Sequence, residues 1–477
     1  MRKKIVSIII SVILLFAFVG CGGVTPNPDE GGNDTPPVVV PPDDTDKPGD
    51  NDDPKPGPDE DFAPWEDIPL ATEPVDLTTE ILIGSWVTYY RYDIDSLDTQ
   101  MRRLAQSGVN FNLFPFQWDT ENWDSIEDWQ EIDELCTKYR IAYGISVNED
   151  LHSANQFSLN IIKDYYAQLD ESPYCRFVNL RDEPTTAVMQ GTIKRYYDRY
   201  REELPNIVPF TNLLPSYGAH GSPTYRDYIQ AYANDFADAE YLSTDYYPFT
   251  TVAGSVDEGI FSDMEIIRDI AYNTNKMKTH CFIQSTGFVG KRMTNIDEIR
   301  WNIYAYLAYG FKAFSYFNYV CPGESDTEGE QFSECLIYRD GTIRDQQLFD
   351  DVADLNWEIR ALSSVIMNSD ASAAYHTTDR IAGVEYLPDD YFIQPKQEGD
   401  FVITYLENKD SSQASHIMIF NNSISKDVTA QFEVDQAEVA GLEYFNPATE
   451  SYETVAGQDG TYEFSFAPGE GKIFRLA

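Results

Sequence analysis

The stretch Phe177-Val178-Asn179-Leu180-Arg181-Asp182-Glu183-Pro184 decides how this chain is read. A short apolar run reads as a buried strand, and proline does not continue one. Two adjacent carboxylates stand between them, so the strand delivers acid groups to the edge of its sheet. Carboxylates crowded into a cleft repel each other and one holds its proton. A carboxyl still protonated near neutral pH can act as a general acid. The same residues also suit a helix start, with Asp182 as the cap and Glu183-Pro184 in the first turn. The surrounding chain decides between the two.

From about residue 78 to 365 one alternation recurs: an apolar, β-branched or aromatic run, a polar loop, then a helix-like stretch. The runs are Ile81–Ser85, Val109–Phe114, Ile141–Val147, Phe177–Leu180, Ile207–Leu213, Tyr241–Asp245, His280–Gln284 and Ala313–Phe317. Leu97, Met101, Leu104 and Ala105 fall at helical spacing, and Gly108 stops that helix. Ile132 with Leu135, and Ile266, Ile267, Ile270 and Ala271, mark further helix faces. Trp301 to Tyr309 is an aromatic helix ended by Gly310. Strands alternating with helices imply a parallel sheet, and eight such units fit a (β/α)8 TIM barrel. An open doubly wound sheet would carry a glycine-rich phosphate loop after its first strand. Gly84-Ser85-Trp86 is not one.

Asp340-Gly341 reads as a turn before a last barrel helix from about Asp345 to Met367, with Leu348, Val352, Leu355, Ile359 and Leu362 on one face. The period then changes to two. Phe401–Tyr405, His416–Phe420, Thr461–Phe466 and, after Pro468-Gly469-Glu470-Gly471, Lys472–Leu476 read as strands of a small all-β sandwich. The expected organisation is a barrel over 64–368 and a sandwich over 369–477, preceded by two segments outside the fold.

The first of these, 1–20, has a basic start (Arg2-Lys3-Lys4) and an apolar stretch from Ile5 to Phe18, too short for a membrane span of about 20 residues. Val19-Gly20-Cys21 resembles a bacterial lipobox, which implies a lipid on Cys21 and a place on the bacterial cell envelope, facing periplasm or exterior. Residues 21–63 are dominated by Pro, Asp, Gly and Asn and bury too little to fold, so they read as an extended acidic tether. The formal net charge of −46 makes nucleic acid a poor partner. Beyond Cys21 the cysteines are Cys136, Cys175, Cys281, Cys321 and Cys335, an odd number that argues against a full disulfide framework. Cys321 and Cys335 flank one loop and could pair in an oxidising compartment. No cysteine or histidine spacing suits zinc, and neither metal nor cofactor is expected.

In a barrel the residues that follow each strand share one rim. Here they are Trp86 and Tyr89, Phe116 and Trp118, Asn148 and Glu149, Asp182 and Glu183, Asn212, Asp245 with Tyr246 and Tyr247, Gln284, and Tyr316 with Asn318 and Tyr319. This is a set of aromatics, amides and carboxylates without a Ser-His-Asp triad or a Lys/Arg cluster. Aromatic faces pack on the C–H side of a pyranose, and amides and carboxylates bond its hydroxyls. A carbohydrate is therefore the expected partner, held by Trp86, Trp118, Glu149, Asn212, Tyr246, Gln284 and Asn318. Singly, each aromatic also reads as core filling.

At these residues the chain resembles the (β/α)8 glycoside hydrolases of clan A and their galactosidase-like relatives. Asp182-Glu183-Pro184, Asp245-Tyr246-Tyr247-Pro248, Tyr306-Leu307-Ala308-Tyr309-Gly310 and the Pro-Gly-Glu-Gly ending of the sandwich carry the likeness. The resemblance implies that Glu183 is the acid/base. It departs from the clan where Asp182 replaces an Asn, and where Gln284 stands in place of the nucleophilic Glu after strand seven. Three readings follow. Glu183 pairs with Asp245 at the wide spacing of an inverting enzyme, ~6.5–9.5 Å. Or Asp182 and Glu183 work as in substrate-assisted hexosaminidases, where the sugar's 2-acetamido group attacks. Or the barrel is a non-catalytic glycan-binding surface lipoprotein.

Overall fold

The computed structural model describes residues 75–86, 94–113, 126–146, 171–274, 276–288, 290–321, 332 and 334–477. Cys21, the tether, Trp118 and Glu149 lie outside them.

Eight parallel strands close into a barrel in chain order: β1 (Leu82–Trp86), β2 (Phe111–Leu113), β3 (Ala142–Ser146), β4 (Cys175–Asp182), β5 (Val208–Leu213), β6 (Tyr241–Asp245), β7 (Lys278–Gln284) and β8 (Ala313–Phe317). β8 closes on β1 with Ile83 opposite Phe314. Each strand is buried on both faces, which explains the unbroken apolar runs. Leu82, Phe111, Phe177, Phe210, Tyr241 and Phe282 fill the cylinder, while their neighbours Ile83, Val178, Leu242, Cys281 and Ile283 meet the surrounding helices.

The helices stop where the sequence says they should. Ile94–Gln106 runs into Gly108 at φ +77°, and Ile296–Ala308 into Gly310 at φ +80°. Ile296–Ala308 begins with a capping box in which Asn295 and Glu298 exchange side-chain and backbone bonds. The last barrel helix is Gln346–Ala361, capped by Asp345, and a separate turn, Ser363–Ile366, completes the expected span.

From Ser369 onward the chain is β-structure: a seven-stranded sheet and a three-stranded sheet packed over a second apolar core that includes Ile403, Phe432 and Phe464. This layer seats on two barrel helices. Trp301 Nε1 donates to Asn422 Oδ1 at 2.9 Å, and Arg268 donates to the Ser372 carbonyl at 2.9 Å. Gly469, in the Pro-Gly-Glu-Gly turn, lies so close that a Cβ there would sit 2.5 Å from the Trp301 backbone.

Candidate active site

β4 extends to Asp182, and the chain then leaves the sheet through Glu183 at φ +47°. A non-glycine residue in the left-handed region carries strain of about 1–3 kcal/mol and is concentrated at functional positions. Here the fold holds it from two sides. The Glu183 N–H donates to the Asn212 carbonyl at 2.9 Å, and the Pro184 carbonyl accepts from Tyr228 Oη at 2.7 Å. The following helix starts at Thr186 with Thr185 in the cap position. Asp182 is therefore not a cap. It ends the strand, and its Oδ1 accepts from Asn212 Nδ2 at 3.1 Å.

Asp245 ends β6, two strands away, and is buried. Its carboxyl is hydrogen-bonded to that of Glu183 and to Tyr247. Loss of solvent is the larger cause that raises both carboxyls; repulsion by Asp182 adds to it at Glu183, where the hydrogen bond to Asp245 pulls the other way, and repulsion by Glu183 and Asp182 adds to it at Asp245. Glu183 is pushed up to about 7, and Asp245 well above the carboxylate range. Two carboxyls in contact share one proton. Asp245, the more deeply buried, keeps it, and Glu183 then titrates near neutrality. This contact corrects the wide Glu183–Asp245 spacing expected for an inverting pair: no water or sugar ring fits between hydrogen-bonded carboxyls.

Below the carboxylates lies an aromatic floor. Trp86, Tyr247 and Phe317 sit on the inner core of the barrel. Trp86 meets Phe282 edge-on at 5.4 Å, and Tyr247 lies 5.1 Å from Phe317. Two buried acceptors at the strand ends, Asn179 Oδ1 and Asn318 Oδ1, have no hydrogen-bond partner among the described residues. Such atoms are costly when left bare and suit donors from a ligand.

Two residues expected to hold sugar are corrected. Tyr246 is only 4% exposed and packs with the outer core, its hydroxyl bonded to Asp257 beside Gly259. Successive residues on leaving a strand diverge, so Tyr247 faces the barrel mouth and Tyr246 does not. Gln284 is fully buried, and its amide is consumed by loop backbone. Oε1 accepts from Phe249 N–H at 3.0 Å, and Nε2 donates to the Phe249 and Arg292 carbonyls at 3.0 and 2.8 Å. It is a clip between two rim loops. Asn212 is likewise occupied at both ends of its amide, by Asp182 and by Ser243.

One residue the rim inventory omitted is Tyr217. It is 60% exposed, stands edge-on to Tyr246 at 5.2 Å, and lies close enough for Asp245 and Glu183 to repel its phenolate. Asp263 Oδ2 holds its loop by accepting the Ser216 N–H at 2.9 Å. Tyr217 sits four residues past β5, beyond the positions that strand-end reasoning inspects. A Pro-Ser-Tyr-Gly turn carrying an aromatic is the signal that would have found it. Among the described residues no three His, Cys, Asp or Glu side chains are grouped to hold a metal ion.

The sequence matches no protein-family model and no curated protein. Solved structures do match in fold. A family GH42 β-galactosidase from G. stearothermophilus aligns at TM-score 0.56 and 8% identity over 85% of this chain and 99% of its own. A β-galactosidase from Bacillus circulans sp. alkalophilus aligns at 0.55 and 9% identity, over 84% and 99%. A glycoside hydrolase family 5 protein from Bacteroides vulgatus aligns at 0.52 and 10% identity, over 83% and 89%. The chain has the fold of these glycoside hydrolases, a TIM barrel followed by β-sheet layers.

Proposed function

We propose that this protein is a glycoside hydrolase in which Glu183 protonates the leaving oxygen and Asp182 supplies the second carboxylate function. The carrying observation is the hydrogen-bonded Glu183–Asp245 pair at the C-terminal rim of a closed barrel, where burial pushes Glu183 up to about 7. A group poised there both gives and takes a proton at neutral pH. The aromatic floor, the exposed Tyr217 and the two bare acceptors, Asn179 Oδ1 and Asn318 Oδ1, favour a sugar as the ligand. Asp245, in contact with Glu183, acts on that proton and not on the far face of a sugar ring. With Gln284 locked into loop backbone, the end of β7 offers no nucleophile. These two facts favour the substrate-assisted route: the 2-acetamido oxygen of the substrate attacks its own anomeric carbon, Asp182 orients the acetamide, and Glu183 delivers the proton. The same loss of a β7 carboxylate also favours the second reading, a barrel that binds glycan without cleaving it. Lipidation at Cys21 would hold either activity on the bacterial envelope, with the acidic tether as spacer.

The test is a panel of aryl glycosides with and without a 2-acetamido group, assayed with the wild type and Glu183→Gln. Cleavage confined to 2-acetamido substrates, lost by several orders of magnitude in the variant with glycan affinity kept, is the expected result. Cleavage of a plain galactoside or glucoside removes the substrate-assisted route, and unchanged turnover in Glu183→Gln removes the assignment of the acid. Saturable glycan binding with no product on any substrate supports the binder.

A further inference from the structure

Four strands carry a polar residue at one level of the barrel. Asp182 lies opposite Asn212, Asn212 opposite Ser243, and Ser243 opposite His280. Their side chains join. Asn212 Nδ2 reaches Asp182 Oδ1 at 3.1 Å, Ser243 Oγ reaches Asn212 Oδ1 at 2.9 Å, and His280 Nδ1 reaches Ser243 Oγ at 2.8 Å. On the far side His280 Nε2 meets Ser315 Oγ of β8 at 2.8 Å. Asn212, Ser243, His280 and Ser315 are each no more than 1% exposed. Gly84 makes room for the last of them: a Cβ at Gly84 would lie 2.2 Å from Ser315 Oγ.

The chemistry of the groups fixes the direction of every bond. An ionised Asp182 only accepts, so Asn212 turns its NH2 toward it and its carbonyl toward Ser243. That carbonyl only accepts, so the Ser243 hydroxyl donates to it. Ser243 has no second proton, so His280 must carry its hydrogen on Nδ1. Nε2 is then bare and accepts from Ser315. Burial pushes the His280 imidazole down to about 3, so it stays neutral and has one hydrogen to place.

We infer that Ser315, His280, Ser243 and Asn212 form a one-way hydrogen-bond chain that orients Asp182 and holds it as the anion beside the protonated Glu183–Asp245 pair. Every donor points toward Asp182, and aligned bonds polarise one another. His280 and the two serines are positioning residues. The inference rests on the proposed role of Asp182 for its meaning in catalysis, but its test needs no turnover. Nitrogen NMR of histidine-labelled protein, with His280 assigned by His280→Gln, reads the tautomer. The expected result in the wild type is Nδ1–H with a bare Nε2. Ser243→Ala removes the acceptor of Nδ1–H, so His280 should switch to Nε2–H and donate to Ser315. In the same variant the Asp182 carboxyl, followed by carbon NMR, should titrate higher by about one pH unit. An Nε2–H tautomer in the wild type overturns the inference without any variant. An unmoved Asp182 titration in folded Ser243→Ala overturns the positioning role. Failure of the glycoside panel would strike the hydrolase reading alone, because neither NMR readout depends on it.

Discussion

Glu183→Gln should make the protein more stable at alkaline pH, and the gain follows from the geometry of the site. Glu183 has an ordinary value near 4.5 when unfolded and about 7 when folded. At 1.36 kcal/mol per tenfold, that difference is about 3 kcal/mol. The sign follows from the direction. The folded state binds this proton more tightly than the unfolded chain. Its contribution is complete below about pH 4.5 and is lost as pH rises through about 7. An amide mimics the protonated carboxyl at every pH and has nothing to lose. Removing the Glu183 charge also relieves Asp245, whose own rise is partly due to Glu183, so both effects act in one direction. Wild type and variant should therefore unfold together near pH 5 and separate by about 3 kcal/mol above pH 8. With roughly 400 folded residues at ~2.1 cal/mol/K each, that separation is about 4 °C in Tm. Thermal unfolding followed by circular dichroism from pH 5 to 9 measures it, with the exposed Glu438→Gln as a control that should track the wild type. A difference curve that is flat across this range, or a wild type that is the more stable at pH 8, would refute the shared-proton account of the site.

Three further outcomes are expected. Gln284→Glu restores a carboxylate to the end of β7 but takes away the donors to two buried carbonyls. It should destabilise the fold by about 3 kcal/mol in urea unfolding and create no new retaining activity. Tyr217→Ala should leave thermal stability unchanged, because the ring is 60% exposed. It should weaken glycan affinity about fivefold to tenfold in titration calorimetry, the loss of about 1 kcal/mol of stacking. The Cys321 and Cys335 thiols are hydrogen-bonded to each other. Oxidised glutathione should therefore link them, two thiols losing two protons and two electrons while glutathione disulfide is reduced to two thiols. Peptide mapping without reductant should find that bond and no bridge from the solitary buried Cys281.

The barrel is legible in the sequence because its strands are buried on both faces. Each therefore reads as a short apolar run, and glycines such as Gly108 and Gly310 close the helices between them. The acid positions are legible for a related reason. A proline after two carboxylates ends β4, and the carboxylate of β6 comes last in its run. What the sequence conceals is side-chain direction after the strand stops. Tyr246 and Tyr247 are adjacent and chemically alike, yet one enters the outer core and the other the mouth, a choice made by the path of the loop. Gln284 has the right position and the wrong employment, because rim loops that pack over β7 claim its amide. The register of the strands holds the remaining information. Asn212, Ser243, His280 and Ser315 each interrupt an apolar strand on its inward face, where a polar side chain costs free energy unless it is bonded. A lone inward serine in one strand reads as a defect. Four inward polar side chains on neighbouring strands, joined by hydrogen bonds and pointing toward the same carboxylate, read as a device. The site is thus built from the inside of the cylinder upward as well as from the loops above it. A substitution deep in the barrel, at Ser315, should reach the rim through three intervening side chains.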